Sequence, residues 1–92
     1  MRNILVIGAT GQIGSELTME LRKRYGNLHV VAGYIPGAAP DGDLKESGPA
    51  EIVDVTEVHT IESVVKKYTI DTIYNLAALL SVVAESKPAL AW

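Results

Sequence analysis

The chain has no cysteine and no phenylalanine among its 92 residues, and aromatic residues make up only 5% of it. Without cysteine there is no disulfide, no thiolate nucleophile and no thiolate metal site. Basic residues are also few: eight Lys and Arg against eleven Asp and Glu give a net charge of −3, with no basic stripe. The lack of cysteine argues against metal chemistry. The lack of a basic stripe argues against nucleic acid or an anionic membrane surface as a partner.

Long hydrophobic runs are absent as well. The longest one, residues 76–83, is interrupted by Ser81 and is too short to span a bilayer. A strand pattern begins within about three residues of Met1 and leaves no room for a signal peptide, so we expect a cytoplasmic protein. A chain of 92 residues that is 48% hydrophobic fits one small domain with a modest core.

The most informative feature present is an apolar strand that runs into three regularly spaced glycines. Residues 4–14 read Ile-Leu-Val-Ile-Gly-Ala-Thr-Gly-Gln-Ile-Gly. In a dinucleotide-binding βα unit, Gly8 permits the tight turn, Gly11 lets the backbone approach the pyrophosphate, and Gly14 lets the helix pack close to the strand. The helix N-terminus then offers free N–H groups to the phosphates. The spacing therefore predicts a dinucleotide site, with an ordinary tight turn as the alternative.

Apolar periodicity predicts strands over residues 3–7, 29–33, 51–53 and 72–76. A first helix ends at Gly26, and a second begins at Thr56 as N-cap and ends near Lys66 and Lys67. We expect the core-facing residues of the first helix to be Ile13, Leu17, Leu21 and Tyr25, and those of the second to be Ile61, Val64, Val65 and Tyr68. Arg22, Lys23 and Arg24 are expected to be solvated partners of the helix dipole.

Between the second and third strands, residues 35–49 carry six prolines and glycines, which predicts a long loop without helix or strand. The β-α-β-β-α-β order is that of an α/β, Rossmann-type doubly wound parallel sheet with spatial strand order 3-2-1-4. Residues 77–84 are ambiguous between loop and helix, and Pro88 suits the start of a helix. We interpret residues 1–92 as the N-terminal part of one NAD(P)-binding domain. Its open sheet edge predicts either self-association, which would give a homo-oligomer, or poor solubility of the isolated chain.

Three polar residues stand at the predicted carboxyl ends of strands. Tyr34 occupies the position where this fold usually carries an acid for the ribose hydroxyls, and no Arg follows it to receive a 2′-phosphate. Its hydroxyl either meets the adenosine, with Asp41 or Asp43 supplying a carboxylate, or lies on the surface. Asp54 either contacts the adenine or serves as a turn residue before Thr56. Ser81 lies on the crevice side, where substrates bind.

Residues 8–14, 54–55 and 75–81 together resemble the NAD-dependent epimerase/dehydratase superfamily of extended short-chain dehydrogenases/reductases. Within that group the likeness is strongest to the short-chain-type L-threonine 3-dehydrogenases. It is carried by Gly-Gln-Ile-Gly at 11–14, Ser-Gly-Pro at 47–49 and Ala-Ala-Leu-Leu-Ser at 77–81. A sugar-nucleotide epimerase or dehydratase, or a non-catalytic dinucleotide-binding module, are the alternatives.

The resemblance implies NAD as cofactor and a small-molecule substrate, L-threonine, whose oxidation gives 2-amino-3-ketobutyrate. It implies pyrophosphate contacts from Gly8, Gly11, Gln12, Ile13 and Gly14, adenine contacts from Asp54 and Val55, nicotinamide contacts from Leu76, Ala77 and Ala78, and a substrate contact from Ser81. Family members carry an Asp at the position of Tyr34, so the choice between NAD and NADP stays open. They also use a Tyr-x-x-x-Lys pair, which this chain lacks, so no catalytic residue is assigned here and the 92 residues alone are expected to be inactive.

Overall fold

The computed structural model describes residues 2–76, which form a parallel four-stranded sheet with helices on both faces. The strands are β1 (Ile4–Ile7), β2 (Val30–Tyr34), β3 (Ala50–Ile52) and β4 (Thr72–Asn75). The helices are α1 (Gln12–Tyr25), α2 (Gly42–Glu46) and α3 (Val58–Tyr68), with one 3₁₀ turn at Asn27–His29. The predictions for Ala77, Ala78, Ser81 and the helix at Pro88 lie outside the described residues.

The strands are ordered β3-β2-β1-β4, and this confirms the predicted order 3-2-1-4. In register, Ile4 of β1 pairs with Val30 on one side and Thr72 on the other, and Ala32 of β2 pairs with Ala50. All pairings are parallel, so the carboxyl ends of the four strands meet at one edge of the sheet. That edge is where open α/β sheets bind ligands.

Alternate residues of β1 and β2 face two separate core layers. The layer under α1 contains Ile4, Val6, Ala9, Leu21, Val30, Ala32 and Leu44. The layer under α3 contains Leu5, Ile7, Val31, Val53 and Val64. Because both faces are covered, β1 is apolar at every position, and burying each such side chain stabilises the fold by about 1.5–3 kcal/mol.

The buried face of α1 differs from the predicted one. Gly14, Thr18, Leu21 and Arg22 are buried, whereas Ile13 is 64% exposed and Tyr25 is 38% exposed. The helix is rotated because Gly14 packs directly on the loop after β1, and Thr18 follows one turn later with its hydroxyl bonded to the Gly14 carbonyl at 2.7 Å. The expectation that Arg22 is solvated is therefore wrong.

The segment between β2 and β3 is not a continuous loop, because it contains the short helix α2. Leu44 of α2 is buried in the core layer under α1, and this burial holds the helix in place despite the prolines and glycines around it. At the start of α3 the cap position is Glu57 rather than Thr56. The inward face of α3 agrees with the prediction at Val64, with Ile61 and Tyr68 packed against the same layer.

Candidate functional site

The loop that follows β1 is fixed by backbone geometry. Gly8 has φ +84°, a left-handed conformation that favours glycine. The N–H groups of Gly8 and Ala9 both donate to the carbonyl of Gly33, at 3.1 and 3.0 Å, and so tie the loop to β2. The N–H of Gly11 donates back to the Gly8 carbonyl at 3.3 Å. The loop is thus closed on itself and anchored to the neighbouring strand.

The glycines at 11 and 14 are required for different reasons. A Cβ on Gly14 would lie 2.1 Å from the carbonyl oxygen of Gly8 and 2.9 Å from Cα of Ala9, so only glycine fits there. A Cβ on Gly11 would have its nearest neighbour, the same oxygen, at 3.7 Å, and Gly11 has φ −72°, which any residue adopts. The fold itself therefore needs glycine at 14, whereas at 11 glycine keeps the space above the loop clear.

The N-terminus of α1 opens onto that space. Its cap residue is Gly11, no side chain from residues 2–76 caps the helix, and its first turn contains no acidic residue. The first N–H groups of an α-helix have no partner within the helix, and the positive end of the dipole lies beside them. Gln12 and Ile13, both exposed, carry the first two of these groups. This arrangement suits an anion such as a pyrophosphate.

An apolar cavity of about 330 Å³ adjoins the loop at the carboxyl ends of β1, β2 and β3. Within the described residues 2–76, none of those that line it is charged; they are Ile7, Gly8, Thr10, Gly11, Tyr34, Ile35, Ala38, Val53 and Val55. The lining thus offers a flat apolar ring a place beside the anion site. It supplies neither a carboxylate for a ribose diol nor a cation for a 2′-phosphate.

A larger open groove of about 870 Å³ lies on the other side of Thr10, between α1 and residues 39–47. Its lining includes charged side chains such as Glu16, Lys23 and Asp41. The segment that begins with Ile35 therefore stands as a wall between the groove and the apolar cavity. The smaller cavity is the better candidate site because it shares Gly8 and Gly11 with the loop.

The structure places Asp54 in a turn. Its carboxylate accepts hydrogen bonds from the N–H of Thr56 at 2.9 Å and from the Thr56 hydroxyl at 2.6 Å. These two bonds lower the pKa of Asp54 below its usual range, and the bond from the hydroxyl has the larger effect. The flanking Val53 and Val55 line the apolar cavity, whereas Asp54 is not among the residues that do so. The predicted contact between Asp54 and the adenine therefore stays a prediction.

Leu76 follows β4, and its partly buried side chain packs against the core layer under α1. The other residues predicted for the nicotinamide side and for the substrate, Ala77, Ala78 and Ser81, are outside residues 2–76. Within residues 2–76 no group of three His, Asp or Glu side chains is arranged to hold a metal ion. No helix in that range is long and apolar enough to cross a membrane.

Sequence reasoning missed Arg22, which is only 2% exposed. Its guanidinium donates to the carbonyls of Val30 at 3.1 Å, Leu44 at 2.7 Å and Pro49 at 2.7 Å, and to the Ser47 hydroxyl at 3.0 Å. Burial lowers the pKa of Arg22. The available signal was the Ser-Gly-Pro stretch at 47–49, which carried part of the family resemblance but had no assigned role.

Comparison with known proteins gives consistent matches. A family model described as the NAD dependent epimerase/dehydratase family matches residues 4–90. An uncharacterized epimerase/dehydratase of Staphylococcus epidermidis is 44% identical over 92 residues, which are 100% of this chain and 29% of that protein.

Among solved structures, an L-threonine dehydrogenase from Clostridium difficile is 50% identical with a TM-score of 0.78, covering 96% of this chain and 27% of its own. A GalE-like L-threonine dehydrogenase from Cupriavidus necator, in its holo form, is 36% identical with a TM-score of 0.74, covering 94% of this chain and 27% of its own. The chain thus spans less than a third of the length of each of these proteins.

Proposed function

Because this chain belongs to the NAD dependent epimerase/dehydratase family, we propose that its glycine loop and the adjoining apolar cavity bind the pyrophosphate and the adenosine of NAD. The observation that carries the proposal is the uncapped N-terminus of α1 beside an uncharged cavity of about 330 Å³. The N–H groups of Gln12, Ile13 and Gly14 would receive the phosphates, since no side chain occupies them as a cap.

We assign the adenine to the cavity wall formed by Ile35, Ala38, Val53 and Val55. Tyr34 lines the same cavity and is half-buried. Its hydroxyl is the group best placed to meet the ribose, in the position where the general fingerprint has an acid. Because no cation from residues 2–76 lines the cavity, these residues offer a 2′-phosphate no charged partner, which favours NAD over NADP.

For the complete protein we propose oxidation of L-threonine at its 3-hydroxyl. The C3 hydrogen leaves as a hydride and the hydroxyl proton passes to a base, which yields 2-amino-3-ketobutyrate and NADH. NAD, when bound, supplies the hydride acceptor, and the part of that work done by this chain is to hold and orient the acceptor. Support comes from the two L-threonine dehydrogenases that are 50% and 36% identical to it. The base is not assigned to these 92 residues, since they contain no Tyr-x-x-x-Lys sequence.

The remaining assignments belong to the same proposal. Leu76, Ala77 and Ala78 would border the nicotinamide, and Ser81 would contact the amino-acid substrate. We further propose that the 92-residue chain by itself associates into a homo-oligomer, because β4 lies at the edge of the described sheet with Ile73 and Tyr74 exposed.

Titration calorimetry with NAD, NADP, AMP and nicotinamide mononucleotide tests cofactor binding. We expect NAD and AMP to bind to the full chain, NADP to bind more weakly than NAD, and the mononucleotide to bind weakest because it lacks adenosine. Absence of NAD and AMP binding at millimolar ligand would refute the assignment of the cavity.

The substrate is tested on the complete protein that carries this sequence, by NADH absorbance with L-threonine and NAD. L-Serine and L-allo-threonine serve as matched controls for the methyl group and for the configuration at C3. One other candidate is a sugar-nucleotide substrate. It is supported by the 44% identical staphylococcal relative, which is named an epimerase/dehydratase. Conversion of UDP-galactose without any oxidation of threonine would replace our proposal by that one.

A further inference from the structure

The buried Arg22 guanidinium has no carboxylate partner in the part of the chain that the structure describes. Its hydrogen-bond acceptors there are three backbone carbonyls and one hydroxyl. Arg is almost never fully buried unless its charge is paired, because removing a cation from water is costly. A guanidinium can satisfy several carbonyls at once with its five N–H groups, and this geometry is what Arg22 uses.

The acceptors belong to separate pieces of chain that Arg22 brings together. Val30 begins β2, Leu44 lies in α2, and Ser47 and Pro49 lead into β3. Arg22 itself lies near the C-terminal end of α1. We call Arg22 together with Leu44, Ser47, Gly48 and Pro49 the Arg22 clamp.

Gly48 shows how closely the clamp fits. A Cβ on Gly48 would lie 2.7 Å from Nε and 2.9 Å from Cζ of Arg22, and 2.5 Å from the carbonyl oxygen of Asn27. The chain therefore crosses directly over the guanidinium, and any side chain at 48 would displace either Arg22 or the backbone. Each residue of the Ser-Gly-Pro stretch thus has a role: Ser47 and Pro49 accept hydrogen bonds from Arg22, and Gly48 lets the chain cross close to the guanidinium.

Two routes lead from the clamp to the candidate adenosine cavity. The Pro49 carbonyl accepts from Arg22 at 2.7 Å and also from the N–H of Ala32 at 3.0 Å, so it starts the pairing of β3 with β2. From there β3 carries the chain directly to Val53 and Val55 in the cavity wall. In the other direction α2 leads back to the opposite wall, which begins at Ile35.

Among the residues that the structure describes, few other contacts hold the wall that begins at Ile35 against α1. The open groove of about 870 Å³ separates residues 39–41 from α1. Within residues 2–76, two hydrogen bonds join a side chain of residues 35–47 to α1. One is the bond from Arg22 to the Ser47 hydroxyl, and the other is a weak one from that hydroxyl to Sδ of Met19 at 3.5 Å. Burial of Leu44 and the clamp therefore fix where this wall stands.

We propose that Arg22 is a positioning residue for the adenosine half of the dinucleotide: its clamp holds both walls of the cavity at the spacing that the ring requires. This inference rests on the proposed function, because it assumes that the cavity binds adenosine. Arg22 touches no residue of the glycine loop in the hydrogen bonds given above, so its effect on binding is indirect. Lys is not expected to replace it, because the three N–H groups of an ammonium share one nitrogen, whereas each of the three carbonyls is bonded by a different nitrogen of the guanidinium.

The test compares Arg22→Met and Arg22→Lys with Arg24→Met in the full chain. Arg24 is the matched control because it lies in the same last turn, with an exposed side chain whose ion pair within residues 2–76 is with Glu20 at 3.0 Å. Calorimetric titration with AMP and NAD below the unfolding midpoint gives both the dissociation constant and the number of sites. If the walls are correctly placed in only about a tenth of the molecules, the apparent dissociation constant rises about tenfold.

We expect that rise for AMP and NAD in both Arg22 variants, with an unchanged number of sites, and no change in Arg24→Met. A purely structural role predicts wild-type dissociation constants at any temperature where circular dichroism shows the Arg22 variant to be fully folded, and that result would overturn the proposal. In the complete protein the same variants are expected to raise KM for NAD while kcat is kept. A fall in kcat at constant KM would also overturn it.

Should the Arg22 variants fail to fold, Ser47→Ala decides the question, because it removes one acceptor of the clamp without adding bulk. We expect a rise of about two- to fivefold in the AMP dissociation constant, as for the loss of one hydrogen bond. Wild-type AMP affinity in a folded Ser47→Ala chain refutes the inference. If the unmodified chain binds neither AMP nor NAD, the proposed function itself fails and the inference falls with it.

Discussion

Replacing either of two glycines by alanine separates the glycine that the fold needs from the one that the ligand needs. At Gly14 the new Cβ would stand 2.1 Å from the Gly8 carbonyl oxygen, where ordinary contact begins at 3.4 Å. Relief of the clash requires a movement of about 1.3 Å, the difference between these two distances. The atoms in the way all belong to backbone, which cannot rotate aside as a side chain can.

The energetic consequence is large for a chain of this size. Overpacking a core costs about 1–3 kcal/mol, and we expect the upper end here because both partners are backbone. Total stability for a domain of this length is about 5–14 kcal/mol, and each kcal/mol moves the unfolding midpoint by about 4–8 °C. Gly14→Ala is therefore expected to lower the midpoint by about 12 °C or more.

Gly11→Ala is expected to behave in the opposite way. Its φ of −72° suits alanine and the nearest atom would be 3.7 Å away, so stability should fall by no more than about 1 kcal/mol, the usual cost of alanine at a helix N-cap. NAD affinity should nevertheless fall about tenfold or more, because the methyl group takes the space through which the pyrophosphate approaches the loop.

Thermal unfolding followed by far-UV circular dichroism, together with calorimetric titration of NAD, measures both effects. Gly26→Ala is the control for backbone strain away from the site, since Gly26 has φ +105° at the C-terminal end of α1 and the nearest atom to its Cβ position, at 3.0 Å, belongs to the His29 ring. It should cost about 1–2 kcal/mol and leave NAD binding unchanged. Wild-type NAD affinity in Gly11→Ala, or wild-type stability in Gly14→Ala, would refute the reasoning.

The other predictions concern the ribose contact of Tyr34, the acid stability due to Glu51, and the activity of the isolated chain. Tyr34→Asp supplies the missing ribose acceptor, so the preference for NAD over NADP should rise about tenfold by titration, and an unchanged preference would exclude Tyr34 from the ribose site. Hydrogen bonds from Lys67 at 2.8 Å and Tyr68 at 2.5 Å lower the pKa of Glu51. That contribution is present above the ordinary Glu pKa of about 4.3 and is lost as pH falls through the lower folded value, so Glu51→Gln should flatten the acid limb of unfolding free energy against pH; parallel acid limbs would contradict this. Finally, the 92-residue chain alone should produce no NADH from L-threonine, and sustained production by the purified chain would disprove it.

The parts of the fold that follow from local pattern were predictable. The apolar run at Ile4–Ile7 and the glycines after it specify a buried parallel strand entering a helix, and the structure has both. The strand order 3-2-1-4 follows because a right-handed crossover leaves few arrangements for this element order. The chemistry of a strand end was harder, since Asp54 suits a turn and a ligand equally well by sequence and only the structure shows its carboxylate bonded to Thr56.

The parts that depend on distant contacts were not predictable. Helix α2 forms among residues that disfavour regular structure because Leu44 reaches the core and its carbonyl reaches Arg22, 22 residues earlier in the chain. No periodicity within residues 35–49 encodes either contact. Likewise a lysine- and arginine-rich helix end normally indicates solvent, and nothing local to Arg22 distinguishes it from its exposed neighbours Lys23 and Arg24.

The buried row of α1 explains why hydrophobic periodicity misplaced this helix by one position. Gly14, Thr18 and Arg22 repeat every four residues and contribute little apolar side-chain surface, yet all three are buried. Each is tolerated inside for its own reason: Gly14 has no side chain, Thr18 bonds the Gly14 carbonyl, and Arg22 bonds three carbonyls. At one end of the row, Gly14 lets the helix pack directly on the glycine loop. At the other end, Arg22 holds the chain that leads into β3. Hydrophobic burial is left to Leu21, with the partly buried Leu17 and Met19 packed beside it. In our proposal both ends of this buried row support the dinucleotide site. Polar or small residues in place of apolar ones on a buried helix face are expected at such sites, because function there constrains the sequence more than hydrophobic patterning does.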